Sequence, residues 1–376
     1  MRICLVGGGT GGHVYPLMAV ALAINEQSKQ TGQPVEILFL GEGKFLKRAA
    51  SENNLKIKTI QAGKLRRYFS LLTIIDILKF PIGLAQSLWH LFWFMPDVVF
   101  AKGGYASLSV ALVSKLYFIP LFIHESDSVP GLANRILGKL AKKVFISFNS
   151  SQKYFKSDKT VLTGNPVRKE LMVGDRSAAM AKFDLNPDRK TILIAGGSQG
   201  AQKINRIILD SLVLLVKDFQ IIHQCGESQF QSVKIELEKI IKEGQDEYAD
   251  TVRVNYKLYP FFDAKDMALA YAAADIIVSR AGASNISEIA MLSKPAIIIP
   301  ITDSSSNHQM SNALEFAKFG AIVVEEANLT PHIIINQINL LLKPENYNSI
   351  SEKLKTFAMP DAADKIASVL LAQLIR

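Results

Sequence analysis

Two glycine-rich runs stand about half a chain apart, each directly after an apolar stretch. The first is Gly7-Gly8-Gly9-Thr10-Gly11-Gly12-His13, after residues 3–6. The second is Gly196-Gly197-Ser198-Gln199-Gly200-Ala201, after residues 192–195. Glycines let backbone N–H groups approach a ligand closely, and a helix starting there favours an anion. The chemistry so implied is the holding of phosphate. One such loop suggests one nucleotide-binding domain; two suggest a pair of similar α/β domains facing a shared cleft. His13 adds an imidazole, which titrates near neutral pH, at the opening of the first helix. Farther along, Ser279-Arg280-Ala281-Gly282-Ala283-Ser284-Asn285-Ile286-Ser287-Glu288 runs from strand to loop to helix. Small residues followed by a carboxylate about one turn into the helix suit a diphosphate, with Glu288 pairing with ribose hydroxyls. An acid that merely complements the helix dipole is the plainer reading of Glu288. Asn307-His308-Gln309-Met310-Ser311-Asn312 offers amides that suit sugar hydroxyls or cap a helix.

Gly7-x-Gly9-x-x-Gly12 also satisfies the dinucleotide fingerprint, and Glu42 ends the second strand, where a ribose-binding acid would lie. An NAD-dependent oxidoreductase leaves the second glycine loop unexplained and has no use for His13.

These loops need strands to carry them. Short apolar runs alternate with helix-like stretches throughout, the pattern of parallel α/β sheets. Strands are expected near 2–7, 35–41, 57–61, 98–101, 121–124, 144–147 and 160–163. A second series is expected near 191–195, 220–224, 252–255, 276–279, 296–300 and 321–324. Gly164-Asn165-Pro166 breaks any continuing element. The expected division is therefore a first domain over 1–165 and a second over 166–360, with a C-terminal helix over 361–376 packing back on the first. Lys102-Gly103-Gly104-Tyr105 and the stretch from His124 to Asn134 fall at the carboxyl ends of strands, where open α/β sheets bind ligands.

At 376 residues, two cores are the natural expectation, and 49% hydrophobic with 20% charged residues is an ordinary folded composition. Cys4 and Cys225 sit in or beside apolar runs and read as buried thiols rather than a disulfide or metal pair. The opening MRICLVGGG passes straight into a strand and lacks a signal-peptide layout. Residues 1–166 hold 20 Lys and Arg against 9 Asp and Glu, whereas the remainder is slightly acidic. The basic half could meet nucleic acid, an anionic membrane or a phosphorylated substrate.

Between Tyr68 and Met95 lie both tryptophans, Trp89 and Trp93, among many aliphatic and phenylalanine residues. Asp76, Lys79 and Pro81 interrupt the run, leaving it short of the roughly 20 apolar residues that span a bilayer. Apolar residues occur around the whole circumference, more than one core-facing stripe requires. With Lys64, Arg66 and Arg67 just upstream, the segment reads as part buried helix and part interfacial membrane contact.

Taken together, GGGTGGHVYP at 7–16, KGGYAS at 102–107, HESDSVPGLANR at 124–135, GNPVR at 164–168, GGSQGA at 196–201, SRAGASNISEIA at 279–290 and NHQMSNA at 307–313 resemble the MurG family. These are the membrane-associated N-acetylglucosaminyltransferases of peptidoglycan synthesis, and the likeness covers essentially the whole chain. The resemblance implies an α/β fold of two Rossmann-like domains, the glycosyltransferase B fold. It implies transfer of GlcNAc from UDP-GlcNAc to lipid I, undecaprenyl-pyrophosphoryl-MurNAc-pentapeptide, giving lipid II with inversion at the anomeric carbon. It further implies a peripheral enzyme on the cytoplasmic side of an anionic plasma or inner membrane, with no nucleic-acid partner and no cofactor.

Carried over by motif, Thr10, Gly11 and Gly12 would line the donor side of the cleft. Asn134 and Arg168 would join the donor site, and Ser198 would meet the diphosphate. Ala283, Ser284, Asn285, Ile286, Ser287 and Glu288 would hold diphosphate and ribose, and Gln309 and Asn312 the GlcNAc. Pro260-Phe261-Phe262 stands where the family reads uracil, with Phe262 as candidate. His13 would be the base or a ligand of the acceptor pyrophosphate. There is no Asp-x-Asp metal–nucleotide motif, so helix N-termini and Arg168 are expected to stabilise leaving UDP. A sugar-nucleotide epimerase of the same fold is a second reading, to which the membrane-like segment gives no support.

Overall fold

The computed structural model describes residues 1–52, 55–63, 71–197, 200–244, 246–301 and 307–373. Lys64, Arg66 and Arg67 of the upstream basic cluster, and Ser198 of the second glycine loop, lie outside the described residues. The chain divides into two compact units, Met1–Arg168 with Met359–Arg376, and Lys169–Ala358.

In the first unit seven strands form one sheet: β1 (Arg2–Val6), β2 (Glu36–Gly41), β3 (Lys56–Thr59), β4 (Val98–Ala101), β5 (Leu121–Glu125), β6 (Lys143–Ile146) and β7 (Thr160–Leu162). All pairings are parallel, in the order β3-β2-β1-β4-β5-β6-β7. Near-continuous apolar strands are what a sheet covered on both faces requires. Alternate side chains of β1 go to opposite faces. Ile3 and Leu5 join the core beneath the helices Gly11–Thr31 and Ala362–Ala372. Cys4 and Val6 join Leu91, Val110 and Leu137 on the other face. The last helix is held by Ala363, Ile366, Ala367 and Leu370 in that first core, and by the Gln27 amide donating to Asp364 O at 3.0 Å.

The helix Leu71–Phe94 divides its circumference, wherever its side chains are described. Ser87 and Leu91 are buried, with the Ser87 hydroxyl donating to Gly83 O at 2.7 Å. Ile82, Trp89, Phe92 and Trp93 are exposed, Trp93 to 64%, and Met95 follows them. Trp89 and Trp93 meet edge to face with centroids 5.6 Å apart. The Tyr117 hydroxyl donates to Leu88 O at 3.4 Å, which brings the corner bearing Phe118, 91% exposed, to the same helix. No helix among the described residues is long and apolar enough to cross a membrane.

The second unit repeats the plan with β8 (Lys190–Ala195), β9 (Phe219–Gln224), β10 (Tyr256–Tyr259), β11 (Ile276–Ser279), β12 (Ala296–Ile298) and β13 (Ile322–Val323). They are again all parallel, in the order β10-β9-β8-β11-β12-β13. One strand expectation fails here. Residues 252–255 end the helix Asp246–Asn255, and the strand begins at Tyr256. Val252 and Val254 are spaced as in a strand, but Val254 is 62% exposed while Ala249, Val252 and Asn255 are buried. Burial at every third residue is the helical period, not the strand period.

Buried polar groups tie β9 to its neighbours. His223 Nε2 lies 3.0 Å from Asn205 Oδ1 and Nδ1 lies 2.6 Å from the Tyr256 hydroxyl, so Nε2 donates and Nδ1 accepts. Burial pushes the His223 imidazole down to about 3 from 6.5. Between those values the folded chain binds fewer protons than the unfolded chain. Stability present above pH 6.5 is therefore lost as pH falls through this window, by up to about 1.4 kcal/mol per pH unit for this group. Thermal melts at pH 7 and 4.5 check it: His223→Gln should lose less stability on acidification than the wild type. Equal losses would show that His223 does not govern the acid limb.

Candidate active site

In both sheets the strand order reverses beside the first strand of the unit, between β1 and β4 and between β8 and β11. Open α/β sheets bind ligands at such switch points, beyond the carboxyl ends of the strands. The glycine loops stand at these positions because larger residues do not fit. A Cβ at Gly8 would collide with the carbonyl oxygen of Glu42. At Gly200, whose φ is +78°, a Cβ would sit 2.6 Å from Cys225 O. The helices that follow the four switch-point strands, Gly11–Thr31, Tyr105–Leu116, Gln202–Asp210 and Ala283–Leu292, share one trait. None has a side-chain cap or an acid in its first turn. Three helices elsewhere are capped, by Asp175, Asp263 and Thr330, while Leu132–Leu140, Phe230–Glu243 and His308–Ala317 are uncapped like these four. The positive end of a helix at a switch point favours an incoming anion.

In the first unit His13 is the third residue of its helix, and its Nδ1 is buried with no hydrogen-bond partner. Burial, and then the nearby charge of Lys102, push the His13 imidazole below 6.5, against the opposing pull of Asp127. The ring is therefore neutral at pH 7 and able to accept a proton. Behind it lies a buried cluster. Lys102, just past β4, donates to His124 Nδ1 and to Asn165 Oδ1, the latter at 2.7 Å. His124 Nε2 donates to Gly164 O at 2.9 Å, which fixes the tautomer that leaves Nδ1 to accept. Burial first, and then the charge of Asp127, push the Glu125 carboxyl up to about 7, although it accepts from Asp127 N at 2.8 Å and Asn134 Nδ2 at 2.9 Å. The loops after β4, β5 and β7 are thus cross-linked behind the first glycine loop. The Arg168 guanidinium stacks 4.0 Å above the Tyr15 ring, and its buried Nε has no partner.

In the second unit the loop after β11 is held from three sides. Arg280 pairs with Glu326 at 2.5 Å and donates to Ile299 O at 3.2 Å; Lys203 pairs with the other oxygen of Glu326 at 2.8 Å. Asn312 Nδ2 donates to Ala281 O at 3.2 Å. Asn285 Nδ2 donates to Ser279 Oγ at 3.0 Å, and that hydroxyl donates to Ala195 O at 3.0 Å, joining the ends of β8 and β11. Glu288, on the sixth residue of its helix, is buried and accepts from the Tyr271 hydroxyl at 2.8 Å.

Residues 3–146 match the glycosyltransferase family 28 N-terminal domain, and residues 191–366 the glycosyltransferase family 28 C-terminal domain. A Bacillus subtilis protein named UDP-N-acetylglucosamine–N-acetylmuramyl-(pentapeptide) pyrophosphoryl-undecaprenol N-acetylglucosamine transferase is 34% identical, over 98% of this chain and 99% of the relative. One of the same name from Lactobacillus acidophilus is 36% identical over 98% and 99%. The chain belongs to glycosyltransferase family 28. Among solved structures, Acinetobacter baumannii MurG superposes with a TM-score of 0.71 at 25% identity, covering 99% of each chain. The UDP-GlcNAc 2-epimerase of Neisseria meningitidis, bound to UDP-GlcNAc, superposes with a TM-score of 0.69 at 16% identity, over 100% of both chains. That second likeness is one of fold. The two parallel-sheet units are those of a glycosyltransferase B fold.

Within this family 28 chain, the residues singled out by motif have different surroundings. Thr10, Gly11, Gly12 and His13 stand together at one helix start, and Asn134 lies in the buried cluster behind them. In the other unit Ala283, Ser284, Asn285 and Glu288 share the start of one helix. Ile286 is a core residue there, and the Ser287 hydroxyl is returned to Ala283 O at 2.8 Å. Gln309 accepts from Ile301 N at 3.2 Å, and Asn312 is fully buried in support of the loop at 281. The Phe262 ring is buried against Phe183 and Tyr259, with centroids 5.7 and 4.9 Å away, so any contact with a base through Phe262 falls to its backbone. Sequence reasoning did not assign Lys102, Glu125, Tyr271, Arg280 or Glu326. Lys102, Glu125 and Arg280 stand in runs already placed at strand ends, whereas Tyr271 and Glu326 lie outside every motif.

Proposed function

We propose that this chain transfers GlcNAc from UDP-GlcNAc to undecaprenyl-pyrophosphoryl-MurNAc-pentapeptide, the lipid-linked step of peptidoglycan synthesis. The observation that carries the reading is 34–36% identity, over nearly the whole chain, to transferases named for that one activity. In an inverting displacement the acceptor hydroxyl oxygen bonds to the anomeric carbon as the bond to UDP breaks. The hydroxyl proton passes to a base and the new negative charge leaves on UDP. A neutral His13 is the proposed base. The helix starting at Ala283 is the proposed seat of the diphosphate, where dipole and backbone N–H groups meet the charge that develops on UDP. Glu288 is assigned to the ribose.

The test is incubation with UDP-[labelled GlcNAc] and a lipid I analogue. Label is expected to move to the lipid, with no change in a parallel NAD reduction assay. Formation of UDP-N-acetylmannosamine, or of free N-acetylmannosamine with UDP if water cleaves the bond, without lipid labelling would favour an epimerase instead.

The acceptor carries a long polyprenyl tail, so the enzyme must meet it at a bilayer surface. The exposed Trp89, Phe92, Trp93, Met95 and Phe118 in the first unit are the proposed contact, assisted by the basic excess of residues 1–166. Burying aromatic side chains contributes about 1.5–3 kcal/mol each. Vesicle flotation should be stronger on anionic than on zwitterionic lipid, weaken with salt, and fall in a Trp89→Ser, Phe92→Ser, Trp93→Ser triple variant. Turnover of a water-soluble acceptor should change little. Undiminished flotation of the variant would move the contact elsewhere.

A further inference from the structure

Tyr271 belongs to the helix Ala264–Ala273, which follows the Phe262 turn and starts at the capping residue Asp263. It is 2% exposed, one of the largest fully enclosed side chains but for its hydroxyl contact, and nothing in the nucleotide motifs of the sequence points to it. Its hydroxyl donates 2.8 Å to Glu288 Oε2, and Glu288 is itself only 8% exposed. The two residues come from helices on either side of β11 in the chain, so the bond joins the element after the Phe262 turn to the element after the loop at 280–282. A glutamate has three side-chain torsions, and a carboxylate left to rotate must be ordered each time a ligand binds. A charge-assisted bond from a phenol that cannot itself move does that ordering beforehand.

We propose that Tyr271 is a positioning residue of the donor site: its hydroxyl fixes the plane and rotamer of the Glu288 carboxylate, so that the carboxylate meets the ribose hydroxyls of the uridine diphosphate sugar already oriented. This rests on the assignment of Glu288 to the ribose. It places the selection of a ribose-bearing donor on a pair of residues rather than on one, and it gives the turn after β10 a mechanical link to ribose recognition that does not pass through the base.

Tyr271→Phe removes one oxygen and keeps the ring that fills the core. Its KM for UDP-GlcNAc is expected to rise about three- to tenfold, the worth of one hydrogen bond, with kcat changed less than about twofold. With a 2′,3′-dideoxyuridine diphosphate donor, which lacks the hydroxyls in question, variant and wild type should have the same KM. In a Glu288→Ala background the second substitution should add nothing. A merely structural tyrosine would raise KM for both donors alike, and that result overturns the proposal. So does an unchanged KM for UDP-GlcNAc in Tyr271→Phe while Glu288→Ala raises it, and so does failure of Tyr271→Phe to fold. If Glu288→Ala itself leaves the donor KM unchanged, the ribose assignment is what fails.

Discussion

Replacing His13 by alanine is expected to lower kcat about 10²- to 10⁴-fold, the span removed when a positioned general base is lost. His13 lies in the first turn of an uncapped helix at the switch point of its sheet, with a buried Nδ1 that has no partner. Burial and the Lys102 charge hold it below 6.5, so the active, neutral form predominates at pH 7. Turnover should fall on acidification, at a lower pH than an unperturbed imidazole would give, as the ring takes up a proton. Binding of UDP should change little in the variant. Equal kcat for variant and wild type on a lipid I analogue would remove His13 as base. A collapse of UDP affinity would instead assign the residue to the donor.

Glu288→Ala should raise the donor KM by roughly ten- to a hundredfold, because a hydrogen bond to a charged group contributes about 1.5–3 kcal/mol. The carboxylate is nearly buried on a helix whose start has no acid and no side-chain cap, so it contributes specific contacts rather than surface charge. Removing it also leaves the Tyr271 hydroxyl buried without this acceptor, which costs a further ~1–3 kcal/mol of stability. Melting temperature and donor KM therefore both move, while kcat at saturating donor falls less. Wild-type KM in a variant that melts lower would leave Glu288 a structural residue only.

The polar clusters explain why site and fold are hard to separate here. Asn165, in the segment that reads as a chain break, is held by Lys102, and Arg168 stacks on Tyr15. The segment 164–168 consequently belongs with the first unit and stiffens the ends of β4 and β5. The Arg280, Glu326 and Lys203 group does the same for the loop after β11. Breaking a buried ion pair by removing one partner is costly because the other charge is left stranded.

Much of this was legible in the amino-acid sequence. Apolar runs of strand length in regular alternation with helices determine a parallel sheet, since only a sheet covered on both faces needs strands that are apolar throughout. Glycines directly after β1 and β8 mark where backbone comes close to backbone or to a ligand, and the order and spacing of the motifs determine the family. The exception at 252–255 shows the limit of a local signal: a valine pair separated by one residue fits a strand, and only the buried face of Ala249, Val252 and Asn255 decides for a helix. The environments of single side chains were decided by the tertiary structure alone. Nothing local distinguishes Asn312, fully buried on a loop carbonyl, from an amide turned outward, or Phe262 in an aromatic cluster from a base-stacking ring. Lys102 meets His124 and Asn165, and Tyr271 meets Glu288, across 22, 63 and 17 positions of chain. Hydrogen bonding and charge act over a few ångströms of space, and only folding brings residues so far apart in sequence within that reach.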